Sequence, residues 1–333
     1  MSRTMKKISF ILLLFTAACG KKETALTISI DRLDPAIDSV ISNEITVDVI
    51  GTGYKWSEGP LWIESEKMLL FTDVPTNTIY KWTAEKGAEV YLTPSGYTGT
   101  IPRAGEPGAN GLALDEVGNL ILCQHGDRRI AMMNTPVGKP SADFTTLSDK
   151  YNGKRLNSPN DVVFNNYDFY FTDPPYGLIK NMKDSSKEIP FQGVYRITSK
   201  GETVLLIDSI SRPNGLAFSP DGKKLYVASS DPDKARWYQY EMNDSMQIVS
   251  GKILHDATEQ AKTEKGLPDG LKVDHNGNIF GTGPGGIWIF NPAGKLIGKI
   301  KLTEPASNCG LSADEKSLFV TNNMNVIKIQ LRK

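Results

Sequence analysis

One pattern recurs six times along the chain and restricts the folds open to it: a polar residue, a Gly or small residue, an apolar strand, a tight turn, and a second strand ending in Thr, Ser or Asn. The copies open at Glu58 (EGPLWIESEKMLLFTD), Asn110 (NGLALDEVGNLILCQH), Asn160 (NDVVFNNYDFYFTDPP), Asn214 (NGLAFSPDGKKLYVASS), Asp269 (DGLKVDHNGNIFGTG) and Cys309 (CGLSADEKSLFVTNN). Asp221-Gly222 and Asn276-Gly277 are hairpin dipeptides, because both tolerate the positive φ of tight primed turns. Each copy is therefore a β-hairpin. Further short alternating runs follow, such as 193–197 and 203–207, and complete a four-stranded unit. A spacing of roughly 50 residues suits the blade of a propeller, and no segment has the period of an amphipathic helix. The expectation is an all-β, six-bladed propeller with four-stranded antiparallel blades.

The last copy runs out after 325–329, one strand short, and Ile45-Thr46-Val47-Asp48-Val49 can supply the missing strand. Such a closure pairs two edges that would otherwise template aggregation and makes 45–333 one domain. Ahead of it, Lys6 and Lys7, an apolar run from Ile8 to Phe15 and Thr16-Ala17-Ala18 before Cys19 have the layout of a secretory signal over 1–19. Cys19 after that small-residue site suggests lipoprotein processing, with Thr16 standing where leucine is usual; cleavage after Ala18 with release of a soluble protein is the alternative. Both readings export the chain, to the periplasm or cell envelope as a lipoprotein or otherwise as a secreted protein. Residues 20–44 lack a clear period and read as a flexible tether. Cys123 and Cys309 are then too few for a disulfide scaffold.

Lys plus Arg number 38 and Asp plus Glu number 38, so no net field draws nucleic acid or an anionic membrane, and the only membrane contact expected is a lipid anchor. The chain is expected to be a monomer or weak dimer acting on a small molecule.

The first strand of each blade lines the central channel, so the residues opening the copies should converge at one mouth. Around the ring they are Glu58, Asn110, Asn160, Asn214, Asp269 and Cys309. Five carry side-chain oxygens and two are carboxylates, a set that suits one hard divalent cation: calcium first, with magnesium, manganese or zinc also open. Singly, Asn or Asp beside Gly caps a turn. Repeated at one equivalent place, they would leave a buried, uncompensated Glu-Asp pair unless a cation sat between them.

The motifs SEGPLW around Glu58, CQHGDRR around His125, GKRLNSPNDVVF around Asn160, YFTDPPYG after Tyr170, RPNGLAFSPDGKKLYV around Asn214 and LPDGLKVD around Asp269 resemble those of the regucalcin and gluconolactonase-like (SMP-30 type) family of six-bladed propellers, most of all its bacterial gluconolactonases. The resemblance runs from about Trp56 to the carboxyl end. It implies that a metal is held by Glu58, Asn214 and Asp269, with Asn160 contacting either the metal or the substrate, and that the reaction is hydrolysis of a sugar lactone to the aldonic acid. It gives Asn110 no settled ligand role and leaves it a channel-wall or substrate residue.

On that reading the metal polarises the lactone carbonyl and positions water, and Asp269 is the candidate base. There is no GxSxG elbow to support a Ser-His-Asp alternative. Arg155 and Asn157 lie in what the family pattern makes a substrate-facing loop; a surface role is the alternative for Arg155. His125 can reach the channel to bond substrate hydroxyls, or serve as a core or loop residue. His275 belongs to a solvated turn, and His255 has no assignment. Asp73 and Asp173 are read as strand-end residues bonding backbone. Trp62, Trp82, Trp237 and Trp288 are read as blade packing, and Trp56 as the tryptophan nearest substrate. Two other functions compete: phosphotriester hydrolysis of the diisopropylfluorophosphatase type, and a non-catalytic calcium-binding propeller.

Overall fold

Short apolar runs, broken every few residues by Gly, Asn or Asp, build hairpins, and the computed structural model, which describes residues 28–332, is made of strands. Among the described residues the α-helix content is the four residues Thr258–Ala261. Blade one is Ser57–Ile63, Met68–Asp73, Thr78–Thr83 and Gly87–Leu92; blade two is Ala109–Leu114, Leu120–Gln124, Arg129–Met133 and Phe144–Ser148. Blade three is Val162–Asn165, Asp168–Asp173, Gly193–Ile197 and Thr203–Ile207; blade four is Pro213–Phe218, Lys224–Asp231, Lys234–Met242 and Ile248–Asp256. Blade five is Leu271–Val273, Ile279–Gly283, Gly286–Phe290 and Leu296–Lys301, and blade six is Asn308–Leu311, Ser317–Asn322 and Asn325–Gln330 with Thr46–Thr52 as its outer strand. That outer strand pairs antiparallel with Asn325–Gln330, from Thr46 opposite Gln330 to Thr52 opposite Asn325. The six-bladed ring is closed by an amino-terminal strand, as the shortfall in the last copy predicts.

The segment expected to be a tether is folded from residue 28 onward. Ser29–Arg32 pairs antiparallel with Leu296–Lys301 and adds a fifth strand to blade five. Asp34 then caps a 3-10 turn, its Oδ1 accepting from Ala36 N at 2.9 Å. The turn drives Ile37, Val40 and Ile41 into a core shared with Ile297 and Ile300 of blade five and Leu331 beyond blade six. Two short apolar groups on either side of Pro35 do this work with different spacings, so no single period marks them in the sequence. The signal segment and Cys19 lie outside the described residues.

Aromatic contacts join the blades. Trp62 stacks on Phe319 at 5.3 Å, joining blade one to blade six, and Trp237 meets Trp288 at 5.2 Å, joining blade four to blade five. His255 packs its ring against Trp237, Trp288 and Phe290.

The blades touch most closely at their inner strands. Gly111 N donates to Asn160 O at 2.7 Å, Gly215 N to Asp269 O at 3.1 Å and Gly270 N to Ser307 O at 2.7 Å. At this spacing there is no room for a side chain: a Cβ on Gly215 would lie 2.3 Å from Asp269 O, and one on Gly270 would lie 2.0 Å from the Asn308 side chain. Gly215→Ala should therefore destabilise the fold by about 1–3 kcal/mol, the range for overpacking a site that cannot relax. Denaturant titration checks this, and an unchanged midpoint would contradict the close-approach argument.

Candidate active site at the channel mouth

The hydrogen bonds between blades define which residues are equivalent. Asn160, Asp269 and Ser307 each accept at the carbonyl from the preceding blade's inner strand, and each donates its own N–H to a threonine carbonyl, of Thr172, Thr282 and Thr321 respectively. Blade six therefore contributes Ser307 to the ring, and the expectation of Cys309 is corrected by two residues. Gly310-Leu311 imitates the Gly-Leu of the repeat, whereas the residue in the glycine slot of blade six is Asn308. Cys309 is fully buried in the core between blades five and six, its Sγ 3.4 Å from Phe280 O. Ser307 carries no free oxygen to the mouth, since its Oγ donates to Ser57 O at 2.6 Å.

The other five positions hold the expected residues. Glu58, Asn110, Asn160 and Asn214 are buried, and Asp269 keeps one edge open while its Oδ1 is shut away without a hydrogen-bond partner. Among the described residues one backbone N–H is directed at the Glu58 carboxylate, that of Gly59 at 3.2 Å. Burial, followed by the charges of Asp161 and Glu106, raises the Glu58 carboxyl above its ordinary range. Burial, followed by Glu58, Asp161 and Glu106, raises Asp269 well above its own. Among the described residues neither Glu58 nor Asp269 has a basic partner within ion-pair distance.

The orientation of Asn214 is fixed by its neighbours. Ser230 Oγ donates to Pro268 O at 2.7 Å and so accepts from Asn214 Nδ2 at 2.8 Å, which leaves the Asn214 Oδ1 as the atom free for the mouth. Asn110 likewise has a buried Oδ1 without a partner. One layer along the channel, Asp161 and Asn308 occupy the slots that are glycine in the other blades. Lys272 Nζ lies 3.9 Å from Asp161 Oδ2 and 3.5 Å from Asn308 Oδ1. This ammonium partly offsets Asp161, whereas among the described residues neither Glu58 nor Asp269 has a basic partner.

The residues present fit a divalent cation. The buried Glu58 carboxylate and the largely buried Asp269 carboxylate lie in each other's field, and partnerless oxygens remain on Asp269 and Asn110. Among the described residues no three His, Cys, Asp or Glu side chains gather as a metal cluster, so the donor set is carboxylate and amide oxygen, which favours a hard ion.

Around this centre the expected substrate residues separate. His125 is fully buried, with neither ring nitrogen hydrogen-bonded, and its Nδ1 is 3.5 Å from Glu106 Oε2. Trp56 lies close enough to Glu58 to counter part of the rise in its carboxyl's range. Asn157 does not face the mouth. It is fully buried, with Nδ2 donating to Asp173 O and Phe191 O, both at 3.0 Å. Arg155 is exposed, donates to Asp127 O at 3.0 Å and lines a groove with Arg103, Arg128 and Arg129 on the rim of blades two and three. Asp73 accepts from the N–H groups of Lys55 and Trp56, and Asp173 from those of Asn157 and Ser158. His275 sits in an exposed turn paired with Glu315.

Glu106 and Tyr176 were not apparent from the repeat. Glu106 lies in the connection 93–108 between blades one and two, and Tyr176 in the connection 174–192 inside blade three. Both connections are much longer than hairpin turns, and that length is the sequence signal for functional loops. Burial and the nearby Asp269 charge push the Tyr176 phenol upward.

These features define a six-bladed propeller whose inner strands bring together a set of acidic and amide side chains. The chain belongs to the SMP-30/gluconolactonase/LRE-like family, whose model matches residues 56–323. It is 36% identical over 310 residues to a gluconolactonase of Zymomonas mobilis, covering 91% of this chain and 86% of the relative. It is 24% identical to a pentonolactonase of Haloferax volcanii, over 82% and 83% of the two chains. The solved structure of a gluconolactonase from Xanthomonas campestris superposes with a TM-score of 0.77 at 27% identity, covering 90% of this chain and 94% of that one.

Asp173 supports the loop that leads to Asn160. Burial lifts its carboxyl to about 7, against the pull of the two backbone donors at 2.7 Å. Asn in its place can accept from one donor and presents an N–H to the other, so Asp173→Asn should cost about 1–3 kcal/mol. Equilibrium unfolding in urea checks the size, and a loss within error of zero would show that the loop does not depend on this carboxylate.

Proposed function

We propose that the protein hydrolyses the ring ester of a sugar lactone to the aldonic acid and depends on one divalent cation, calcium being the best match to the donors. The observation that carries the reading is the Glu58–Asp269 pair, buried without a counter-ion at the channel mouth, in a chain whose relatives include a gluconolactonase and a pentonolactonase. Glu58, Asn160, Asn214 and Asp269 would hold the cation. Such an ion, when bound, supplies Lewis-acid polarisation of an ester carbonyl.

The side chains do the remaining work. Asn214, locked by Ser230, presents oxygen without any reorganisation during reaction. Asp269, with its partnerless Oδ1 and one open edge, orients the attacking water and accepts its proton. Water adds to the carbonyl carbon, the bond from that carbon to the ring oxygen breaks, and the ring oxygen leaves as a hydroxyl after taking a proton.

Hydrolysis of glucono-1,5-lactone in a pH-stat should disappear on chelation and return with added calcium. Asp269→Asn and Asn214→Ala should each lower it by about 100-fold or more, the scale of losing an electrostatic group from a closed site. A folded, cation-loaded protein inactive on several sugar lactones would sink this reading and turn attention to phosphotriesters or to cation binding alone.

The cation-free site also has a pH signature. Burial, with the charges of Asp161 and Glu106, holds the Glu58 carboxyl up at about 8, and burial with the Glu58 charge raises Asp269, so a cation entering between them must displace protons. Calcium affinity should therefore rise as pH climbs through that raised range, with proton release, and weaken as pH falls. Calorimetry in buffers of different ionisation heat measures the release; affinity independent of pH would contradict it.

A further inference from the structure

We propose that Glu106 and His125 form the pole of the site that grips the hydroxyls of the sugar ring, making this pair, separate from the cation ligands, the determinant of specificity for polyhydroxylated lactones. The identity of the ligand rests on the lactonase reading; the placement of the pair does not.

The connection 93–108 is built to hold Glu106 in place. At its start Asn77 Oδ1 accepts from Ser95 N, Gly96 N and Tyr97 N. At its end Gly108 N donates to Val74 O at 2.8 Å. Between them Arg103 donates to Gly126 O at 2.6 Å and to Gly177 O at 2.5 Å, tying the loop to blades two and three, while its guanidinium lies 5.6 Å from the Tyr97 ring centre. Glu106 is thereby brought within electrostatic reach of Glu58, Asp269 and Tyr176 at once.

Its carboxylate is not absorbed by the fold. The side chain is 36% exposed, and among the described residues no N–H or O–H donates to it. Beside it, His125 is wholly buried with two ring nitrogens that lack hydrogen-bond partners. A buried imidazole without partners is an unstable arrangement unless a ligand completes it. Together the two side chains offer a strong acceptor and a ring N–H, separated by 3.5 Å. Adjacent hydroxyls on a sugar are both donors and acceptors: one can donate to Glu106 while its neighbour accepts from His125. The buried Tyr176 phenol lies beside the same groups, within reach of Ser230 and of the charges of Asp269 and Glu106. A lactone lacking hydroxyls would leave all these groups unpaired, which is how a polar site rejects an apolar analogue.

The test separates binding from turnover. Calorimetry with 1,5-anhydroglucitol, a sugar ring that cannot be hydrolysed, is run on the full chain in calcium buffer for wild type, Glu106→Gln and His125→Gln, with thermal melting to confirm folding. Each variant should bind about tenfold more weakly or worse, the scale of losing a hydroxyl-recognising group. In parallel, kcat/KM for glucono-1,5-lactone should fall about tenfold through KM, with δ-valerolactone, which bears no hydroxyls, changed by less than about threefold. Variant affinity matching the wild type, no binding by the wild type, or equal losses on both lactones would overturn the proposal. Binding that is lost in Glu106→Gln from a wild type that turns over neither lactone would uphold the pair's role and remove the lactonase reading alone.

Discussion

Hydrogen bonds between neighbouring inner strands set the spacing on which the rest of the molecule depends. Each runs from the N–H of one blade's second channel residue to the carbonyl of the next blade's first, as in Gly111 to Asn160 and Gly215 to Asp269. They draw the strands together until only hydrogen fits in the gap, which explains the glycines. They also bring the first residues of the blades into one small region. Threonine hydroxyls at the strand ends tighten the same seam: Thr72 donates to Asn110 O, and Thr282 to Gly270 O and Ser307 O. The crowding that stabilises the ring thus also forces Glu58 and Asp269 into each other's field.

Charge is unevenly compensated along the inner strands. Lys272 faces Asp161 and Asn308, so those side chains have a countercharge. Among the described residues the carboxylates of Glu58 and Asp269 have none, and the amide of Asn214 is turned by Ser230 so that its oxygen stays free. A rigid scaffold holding like charges together is the arrangement in which a bound cation gains most, because the ligands need no rearrangement on binding.

The fold and five of the six ring positions were legible because they rest on local rules: hairpin turns, strand alternation and the need for glycine at a close approach. Glu58, Asn110, Asn160, Asn214 and Asp269 could all be placed by counting from those features. Blade six defeated the count at Ser307 because Asn308 replaces the guiding glycine and a later Gly310-Leu311 imitates the motif. Residues 28–41 could not be read either. Their burial comes from docking on the edge of blade five, a tertiary match with no period of its own. Asn157 looked like a substrate residue in sequence, whereas its backbone setting requires the amide for Asp173 and Phe191. Glu106 owes its position to Arg103 reaching carbonyls at Gly126 and Gly177, remote in sequence, and only the length of the loop hinted at it.

The closure strand has a consequence for the order of assembly. Among the described residues Thr46–Thr52 has one neighbour in the sheet, Asn325–Gln330, which is synthesised long after it. Until then it is an open edge awaiting a partner remote in sequence, a long-range contact and therefore slow to form. Asp48 in the middle of that strand places a charge on the waiting edge, which discourages pairing with the wrong molecule. The surroundings of Glu58 consequently take their final shape only after blade six has been made, since Ser307 fastens that blade to Ser57, beside Glu58, through the same late-forming seam.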